Sequence, residues 1–502
     1  MPPSQSSACH VRFDDHLLSP MASSISFPEY PTHKPLKSAL RRSSVQLSTS
    51  PRMSALPSND SRISLSSSLD SSKAPKSNSS RKTVKTKSKN KKKDFQAFYL
   101  NQTLSDPLNG LLDVTADPVL NMKFSQDGSY LATASKGGII RIWQLSPDSY
   151  SIDELFVTKP IQEFTSHKAA VLDLSWSKNN FLLSSSMDKT VRLWHVERSE
   201  CLCIFQHYDI VTCVEFHPKD DRFFLSGSID AKLRIWNIPG QRVHVWNKIS
   251  DTHMITAAGF TKDGTKVCAG SAMGAFFVYS ATTLELEHEI SLGTDRKVTG
   301  IEYSPTHPSM VLVSSNDCMV RLVNCDNQKS ICNFKGSVNT KMQISASFSD
   351  DGKYVVCGSE DRRVYIWKTM AQFYHQETTD DSVTDTETSS VKTDATEPMT
   401  KKQLKEIAKR QKEIAKQEKK AEKARKKEEK LLIKKLAKNE PESFEAHKHT
   451  VISAVMAPMK TRQLLAVDGV VMITADETGC IRIWTCTSTT DSDQSSSSEK
   501  SS

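Results

Sequence analysis

A short motif recurs seven times along the chain, and its spacing constrains the fold more than any other feature of the sequence. Each copy begins with Ser or Asp, passes through a turn that holds Asp in four copies, and ends in an apolar run: Ser135–Trp143, Ser186–Trp194, Ser228–Trp236, Ser271–Tyr279, Ser315–Val323, Ser359–Trp367 and Asp476–Trp484. Successive closing residues lie 51, 42, 43, 44, 44 and 117 positions apart. A four-stranded propeller blade takes ~40–45 residues. The last gap equals one blade plus an insertion of about 73 residues.

Each repeat also contains the alternating apolar pattern of half-buried strands, as in Val171–Trp176 and Val211–Phe216. Polar turns such as Asp350–Gly352 separate these strands from the next ones. The sequence therefore predicts an all-β protein, a seven-bladed β-propeller with blades one to six at 119–368 and the end of blade six and blade seven at 441–486.

The seven units resemble WD repeats. In that family a His before the first strand, a strand Ser or Thr, a turn Asp and a third-strand Trp form a buried hydrogen-bonded tetrad, which the resemblance carries to matching residues here. These are His167, Ser184 (or Ser186), Asp188 and Trp194 in blade two; His207, Ser226, Asp230 and Trp236 in blade three; Asp317 in blade five; Asp361 and Trp367 in blade six; and His447 and Trp484 in blade seven. Thr478, Gly137 and Met273 stand at the Asp position of blades seven, one and four. We interpret these sets as structural, since the repeat accounts for them and a buried Asp needs such partners.

Apolar segments before His167, His207 and His447 look like outer strands, which places the insertion 369–440 between the third and outer strands of blade six. After Trp484 no convincing outer strand follows, and an open edge would leave backbone groups unpaired. Within the lead-in segment 95–118 we expect Phe95–Leu104, or else Leu108–Val114, to close the ring; a short helix packed on the propeller is the alternative.

The net charge of +9 is unevenly distributed. Residues 1–94 and 401–438 each carry seventeen Lys/Arg and six Asp/Glu, or +11 apiece, so the remainder is −13. The Ser-rich segments 1–94 and 487–502 have the composition of disordered tails. Arg41 and Arg42 make Ser44 a candidate phosphosite for a basophilic kinase. For Lys82–Lys93 three interpretations stay open: a nuclear signal, a patch for acidic lipids, or a solvated linker.

Within the insertion, an acidic linker precedes a basic stretch, 401–438, that lacks Gly and Pro and is rich in strong helix formers. It predicts a long helix with brief heptad spacing, typical of a short coiled coil. Three interpretations of this helix stay open: it is solvated, it is docked on the propeller, or it contacts an acidic membrane or RNA. It has no aromatic residue on which a base could stack, which disfavours nucleic acid.

The eleven cysteines show no zinc spacing, and no run reaches the ~18 apolar residues of a membrane span. No nucleophile or phosphate-loop motif occurs. We therefore expect a cytoplasmic protein that is not an enzyme and has no metal or cofactor.

Gln162–Asp188, His217–Asp230 and Gln343–Trp367 resemble the family of the Rab-GTPase-binding WD-repeat protein of animal recycling endosomes and its fungal and plant relatives. The resemblance implies a trafficking scaffold that binds an activated Rab-type small GTPase, peripheral on endosomes or Golgi. The two basic segments suggest the alternative of a nuclear or nucleolar assembly factor. On propellers, partners usually bind the face that bears the turn-Asp loops, which makes the following residues candidates for contact: Lys168, Met187, Lys189, Ile229, Asn316 and Glu360.

Overall fold

Seven antiparallel sheets follow one another around a ring. The computed structural model describes residues 82–89, 93–104, 117–146, 154–369, 440–465, 467 and 469–486. Six sheets have four strands, and the seventh has five. The inner strands of neighbouring sheets touch in chain order, and the inner strand of the seventh sheet touches that of the first, so the ring is closed. The fold is the expected all-β, seven-bladed propeller.

Blades one to three each run from the inner to the outer strand in chain order. Their strands are β3 (Val119–Phe124), β4 (Tyr130–Ser135), β5 (Ile140–Gln144) and β6 (Gln162–Phe164) in blade one; β7 (Val171–Trp176), β8 (Phe181–Ser186), β9 (Thr190–His195) and β10 (Cys203–Gln206) in blade two; and β11 (Val211–Phe216), β12 (Phe223–Ser228), β13 (Lys232–Asn237) and β14 (Arg242–Lys248) in blade three.

Blades four to six repeat this order. Their strands are β15 (Ile255–Phe260), β16 (Lys266–Ser271), β17 (Ala275–Ser280) and β18 (Leu286–Ser291) in blade four; β19 (Val298–Tyr303), β20 (Met310–Ser315), β21 (Met319–Asn324) and β22 (Lys329–Lys335) in blade five; and β23 (Ala346–Phe348), β24 (Tyr354–Cys357), β25 (Arg363–Lys368) and β26 (Glu442–Glu445) in blade six.

Blade seven is built from both ends of the described chain. Its strands, from the inside outward, are β27 (Val451–Met456), β28 (Val470–Asp476), β29 (Ile481–Cys486), β2 (Ala97–Leu104) and β1 (Thr83–Lys85). A short helix, α1 (Met459–Leu464), lies between β27 and β28. Of the two segments considered for ring closure, 97–104 pairs with β29, and the alternative of a short helix there is wrong because these residues form a strand.

The fifth strand of blade seven corrects the predicted extent of the disordered tail. Strand β1 pairs with β2 and lies inside the segment 1–94, within the lysine-rich stretch 82–93. Val84 packs against the core between blades six and seven, and Thr86 is buried and donates a hydrogen bond through its hydroxyl to a carbonyl of the following segment. The lysines around these two side chains dominated the composition and concealed the strand alternation.

A second link ties the closing strand to the first blade. The side-chain amide of Gln102 on β2 donates to the carbonyl of Phe156 at 2.7 Å, and the N–H of Phe156 donates back to the Gln102 oxygen at 2.9 Å. Phe156 lies between the third and outer strands of blade one and is fully buried. The amide of Gln102 therefore joins blade seven to blade one.

The apolar core is divided into seven clusters, each formed where two neighbouring blades face each other. Four third-strand tryptophans are almost completely buried in these clusters: Trp143, Trp194, Trp367 and Trp484. Each blade therefore buries its apolar surface against two neighbours, which is the physical reason why the repeat must be arrayed.

The turn between the second and third strands contains a left-handed residue in all seven blades. Its last residue has a positive φ throughout, although glycine holds that position in only three blades: Gly138, Lys189, Ala231, Gly274, Cys318, Arg362 and Gly479. The left-handed conformation costs a residue with a Cβ roughly 1–2 kcal/mol. Four blades tolerate that cost, so the flanking strands determine the shape of this turn.

These turns, and the connections from each outer strand to the next inner strand, form the upper face of the ring. The connections from first to second strand and from third to outer strand form the lower face. Strands β25 and β26 pair directly, so the insertion leaves and re-enters at the lower face of blade six. The predicted acidic linker, basic helix 401–438 and C-terminal tail 487–502 lie outside the described residues, as do Ser44 and the segment Leu108–Val114.

Among the residues that the structure describes, no helix is long and apolar enough to cross a membrane.

Candidate functional site

In blade two the predicted tetrad forms one continuous hydrogen-bonded chain. The Nδ1 of His167 lies 2.8 Å from Asp188 Oδ2, and its Nε2 lies 2.7 Å from the Ser184 hydroxyl. The indole N–H of Trp194 donates to the same hydroxyl at 2.8 Å. A neutral His167 that donates through Nδ1 and accepts through Nε2 satisfies every one of these contacts.

The charges of this tetrad fit a structural role. Burial lowers the pKa of His167 even though Asp188 opposes the shift, so the ring is neutral at physiological pH. Burial alone would raise the pKa of Asp188, but hydrogen bonds from His167, Thr190 and the Lys168 N–H hold it well below its usual range. A neutral histidine with both ring nitrogens bonded is not available as a base or a ligand.

Blade seven holds the same tetrad with a different aspartate. His447 Nδ1 lies 2.9 Å from Asp476 Oδ2, His447 Nε2 lies 2.7 Å from the Thr474 hydroxyl, and Trp484 donates to that hydroxyl at 3.0 Å. The sequence pattern put Thr478 at the acidic position, and the structure corrects this. Asp476, two residues earlier, reaches the histidine, and the Thr478 hydroxyl donates to it at 2.6 Å.

Asp476, His447 and Cys480 have donor atoms within 4.8 Å of one another, which is a spacing that a metal ion would accept. The residues do not fit such a role. Both ring nitrogens of His447 are already hydrogen-bonded to Asp476 and Thr474, which leaves no lone pair for an ion.

In blade three, three of the four members of the predicted tetrad are joined. His207 Nε2 lies 2.8 Å from the Ser226 hydroxyl, which also accepts the Trp236 N–H at 2.9 Å. Asp230 instead binds Arg234 through two hydrogen bonds, at 2.5 and 3.2 Å. The prediction that Asp230 bonds to His207 is therefore wrong.

Arg234 explains the difference. Its guanidinium is buried beside the turn and matches the two oxygens of a carboxylate, a stronger pairing than one histidine N–H offers. His207 Nδ1 donates to the carbonyl of Phe205 at 3.1 Å instead. Burial and the charge of Arg234 together lower the pKa of His207 to about 4.

Blades five and six depart further from the tetrad. Asp317 pairs with Arg321, and Asp361 accepts the hydroxyl of Tyr365 at 2.6 Å. The indole of Trp367 donates to a main-chain carbonyl of blade five at 3.0 Å. These three residues therefore lie where the repeat predicts, but they do not form tetrads, because no histidine precedes the inner strand of either blade.

One role is common to all the turn aspartates. Each accepts the backbone N–H two residues further on, and so closes the turn that leads into the third strand: Asp188 from Thr190, Asp230 from Lys232, Asp317 from Met319, and Asp361 from Arg363. Where an aspartate is present, it closes the turn whether or not it also bonds to a histidine.

The residues predicted for partner contact divide into three groups on the upper face. Lys168, Met187 and Lys189 are exposed, and Lys189 pairs with Asp209 at 3.3 Å. Ile229 is half-buried.

Asn316 and Glu360 are engaged within the protein. Glu360 accepts backbone N–H groups of Thr340, Lys341 and Met342, and Asn316 donates to the Met342 carbonyl at 3.1 Å. These two side chains hold the connection from blade five to blade six, so their polar groups are committed to the fold.

Sequence reasoning missed two large aromatic residues beside the exposed group. Tyr208 is 80% exposed and directly follows His207, while Trp246 on the outer strand β14 is 54% exposed. The side chain of Lys232 lies against both rings, 5.2 Å from the tyrosine centroid and 4.5 Å from the tryptophan. A tryptophan at an outward position of an alternating strand is the sequence signal that could have identified this surface.

The central channel contains a cavity of about 500 Å³ with an ionic cluster in its wall. Lys123 lies 3.6 Å from Glu302. Burial alone would lower the pKa of this lysine, but the nearby carboxyl groups of Glu302, Asp173 and Glu215 outweigh burial and raise it. Burial raises the pKa of Asp173 to about 6 and that of Glu215 to about 8.

The carboxylates of this cluster hold neighbouring blades together. Asp173 accepts the N–H of Val214, Glu215 that of Phe260, and Glu302 that of Phe348. In each pair the carboxylate belongs to one inner strand and the N–H to the inner strand of the next blade. The cluster is therefore part of the architecture of the ring.

The tetrads of blades two and seven, the repeated turn and the closed ring define a class of protein. Four segments match the model of the WD domain, G-beta repeat, at residues 110–144, 158–195, 199–237 and 328–368. The last three each run from the outer strand of one blade through the third strand of the next. The chain is thus a seven-bladed β-propeller in which the matched segments are similar to WD repeats.

Two relatives are similar over about half of this chain. WD repeat-containing protein 44 of Xenopus laevis is 41% identical over 329 residues, which cover 55% of this chain and 35% of the frog protein. An uncharacterized WD repeat-containing protein of Schizosaccharomyces pombe is 33% identical over 274 residues, covering 49% of this chain and 46% of the yeast protein. The match spans less than half the length of either relative.

A third relative, the 2-deoxy-glucose resistant protein 2 of Saccharomyces cerevisiae, is 28% identical over 248 residues, or 43% of this chain and 28% of that protein.

Proposed function

We propose that this chain is a non-enzymatic scaffold that binds protein partners in vesicle and endosomal membrane trafficking, through an activated Rab-type small GTPase. The observation that carries the proposal is the 41% identity to WD repeat-containing protein 44 over 329 residues. It agrees with the resemblance of Gln162–Asp188 and Gln343–Trp367 to the Rab-binding family. In this proposal the protein acts in the cytoplasm, peripherally on endosomes or Golgi.

The first test measures binding of the purified full-length chain to a panel of Rab-type GTPases, each loaded with a non-hydrolysable GTP analogue or with GDP. The proposal expects at least one member to bind about tenfold more tightly in the GTP form, a difference of about 1.4 kcal/mol. If no member of the panel binds in the GTP form, the Rab assignment is wrong.

A charge-reversal variant on the upper face tests whether this face binds the GTPase. Lys189→Glu reverses an exposed charge at a turn residue whose φ of 68° is left-handed and is comparably unfavourable for lysine and for glutamate. We expect weaker binding of the GTPase with an unchanged melting temperature.

Lys353→Glu is the matched control for Lys189→Glu. Lys353 is on the lower face, its side chain is 49% exposed against 51% for Lys189, and each lysine lies 3.3 Å from an aspartate. Equal losses in both variants would indicate a general charge effect. A fall in stability with Lys189→Glu would remove this residue from the partner face.

The runner-up is a nuclear or nucleolar assembly factor, supported by the two stretches of +11 at 1–94 and 401–438. Two lysines of the first stretch already have partners within the protein: Lys93 donates to the Thr86 carbonyl, and Lys89 lies 3.6 Å from Glu440. Imaging of the tagged full-length chain beside endosomal, Golgi and nucleolar markers separates the two proposals. Puncta on endosomes or Golgi support trafficking, and nucleolar signal supports the runner-up. Acidic-membrane contact by these stretches is part of the first proposal.

A further inference from the structure

Three side chains of blade three form an aromatic–lysine patch, consisting of the exposed Tyr208 and Trp246 and the half-buried Lys232. Tyr208 stands on the connection into the inner strand, Lys232 begins the third strand, and Trp246 lies on the outer strand. The patch therefore spans the width of the blade on its upper side.

The geometry keeps the lysine between the two rings. Its Nζ lies over both, at 5.2 and 4.5 Å from the centroids, and the guanidinium of Arg234 lies 5.8 Å from the tyrosine ring. A cation held against two aromatic faces has fewer conformations than a free surface lysine, so a ligand that pairs with it loses less side-chain entropy on binding.

Exposure of these rings is not explained by the fold. Tyr208 and Trp246 leave 80% and 54% of their surface in water, although aromatic residues gain most when they are buried. Trp, Tyr and Arg are the side chains that most often dominate binding energy in protein interfaces.

Three methionines are exposed on the same face of the ring. Met187, Met254 and Met273 are 44%, 52% and 58% exposed, and all lie on upper-face turns of blades two to four. The carbonyl of Met254 accepts the N–H of Ala272, next to Met273, so these two turns adjoin. Methionine is a flexible, polarisable side chain that adapts to a partner's shape.

The charge of this surface indicates what the partner contributes. Lys189 is already paired with Asp209, but in the part of the chain that the structure describes no carboxylate forms an ion pair with Lys232 or Lys168. A carboxylate from outside would complete the arrangement around Lys232, and large apolar side chains would cover the rings and methionines.

A single-stranded nucleic acid would also use aromatics and cations. The observations favour a protein. Lys232 occupies one face of each ring where a base would stack. Asp209 beside Lys189 and Asp230 beside Arg234 would repel a run of phosphates more than they would repel a single carboxylate.

We propose that the aromatic–lysine patch of blade three docks a protein segment in which an acidic side chain lies next to a large apolar one. The acid pairs with Lys232, and the apolar side chain packs on Tyr208 and Trp246 beside the methionines. This proposal rests on the scaffold function proposed above and names the surface and the chemistry of the partner.

The test starts from a defined probe, a phage-displayed library of random twelve-residue peptides, selected on the immobilised full-length chain. Enriched peptides are synthesised with a fluorescent label, and their affinity is measured by anisotropy. We expect enriched sequences that combine Asp or Glu with a neighbouring Leu, Ile, Met, Phe or Trp. Absence of enrichment, or enriched sequences without this combination, would overturn the proposal.

Variants then locate the site. Trp246→Ala, Tyr208→Ala and Lys232→Glu should each weaken peptide binding about tenfold or more. Leu464→Ala on the lower-face helix α1 is the matched control, since Leu464 is 55% exposed, and it should leave binding within about twofold. Melting temperatures of the Tyr208, Trp246 and Leu464 variants should equal that of the wild type, because these side chains are exposed. Lys232 is half-buried, so the two aromatic variants decide the assignment if Lys232→Glu lowers the melting temperature. Unchanged peptide affinity in the three patch variants contradicts the proposal.

Two further measurements separate the alternatives. A labelled oligouridylate that binds the wild type and is displaced by the peptides would assign the patch to nucleic acid and overturn the proposal. Failure of the GTPase panel alone contradicts the Rab assignment, while the peptide results still decide whether blade three docks an acidic, apolar segment.

Discussion

Glu215 on the inner strand of blade three accepts the backbone N–H of Phe260 in blade four at 2.7 Å. The bond crosses a blade boundary inside the central channel. Burial raises the pKa of this carboxyl to about 8, although the hydrogen bond from Phe260 and the charge of Lys123 oppose the shift. The protonated form is therefore favoured in the folded protein. Stability falls as pH rises from the unfolded pKa near 4.5 towards 8.

Glu215→Gln should abolish this loss. Glutamine keeps an oxygen for the Phe260 N–H and carries no charge, so the variant should be more stable than the wild type at pH 8.5, by on the order of 1–2 kcal/mol after allowance for water in the channel. At pH 5 the two should be equal. Urea denaturation at the two pH values measures the difference. Glu289→Gln, at an exposed outer strand, is the control, and a uniform effect of Glu215→Gln at both pH values would contradict the prediction.

Asp188→Ala should destabilise the protein by roughly 1–3 kcal/mol, because it leaves His167, the Lys168 N–H and Thr190 without their acceptor. The measurement is the urea midpoint at pH 7. Asp251→Ala, which removes an aspartate that is 89% exposed, should leave the midpoint unchanged. A wild-type midpoint in the Asp188 variant would show that the tetrad of blade two does not stabilise the fold.

His207 should make the protein sensitive to mild acid. Its pKa of about 4 lies below the unfolded value near 6.5, so the unfolded chain takes up a proton first as pH falls. Stability from this group is complete above pH 6.5 and is lost between about 6.5 and 4. His207→Gln should therefore lose on the order of 1–2 kcal/mol less than the wild type between pH 7 and 4.5.

The control for this prediction is His449→Gln, since the side chain of His449 is 52% exposed. Its pH dependence should match the wild type. Parallel stability curves for the His207 variant and the wild type would contradict the assignment of the titration to this residue.

Phe98 tests the closure of the ring. It is completely buried, and its ring stacks on Phe444 of blade six with centroids 4.3 Å apart. Phe98→Ala should cost about 3–5 kcal/mol, as deletion of a buried aromatic side chain does. Its neighbour Tyr99 points outward and is 37% exposed, so Tyr99→Ala should have a much smaller effect on the thermal midpoint. Similar midpoints for the two variants would show that β2 does not hold blade seven together.

The sequence was sufficient for the blades because the repeat carries redundant information: seven copies of one motif, each with a turn and an apolar strand. It also indicated residues 95–104 for closure, since an edge in blade seven needed a partner. It did not indicate β1, where only Val84 and Thr86 among many lysines carry the strand signal.

The tetrads show the limit of motif reasoning. His207 and Asp230 match the pattern as well as His167 and Asp188 do, yet only the second pair is bonded. The outcome depends on a competition between a histidine and Arg234 for one carboxylate, which is decided by side-chain geometry in three dimensions. Asp476 was overlooked for a similar reason, because it reaches His447 from two residues before the expected position. The exposure of Tyr208 and Trp246 is likewise a property of the assembled blade.

Blade seven takes β2 from early in the chain and β27 to β29 from its end, which sets an order of events during synthesis. When residues 97–104 leave the ribosome, the strand they must pair with is still untranslated. At 5–20 residues per second, the roughly 380 residues up to Cys486 take about 20–80 s. During that interval the nascent chain exposes Phe98, Leu100 and Leu104 on a strand whose β29 edge has no partner, which is the kind of segment that chaperones hold.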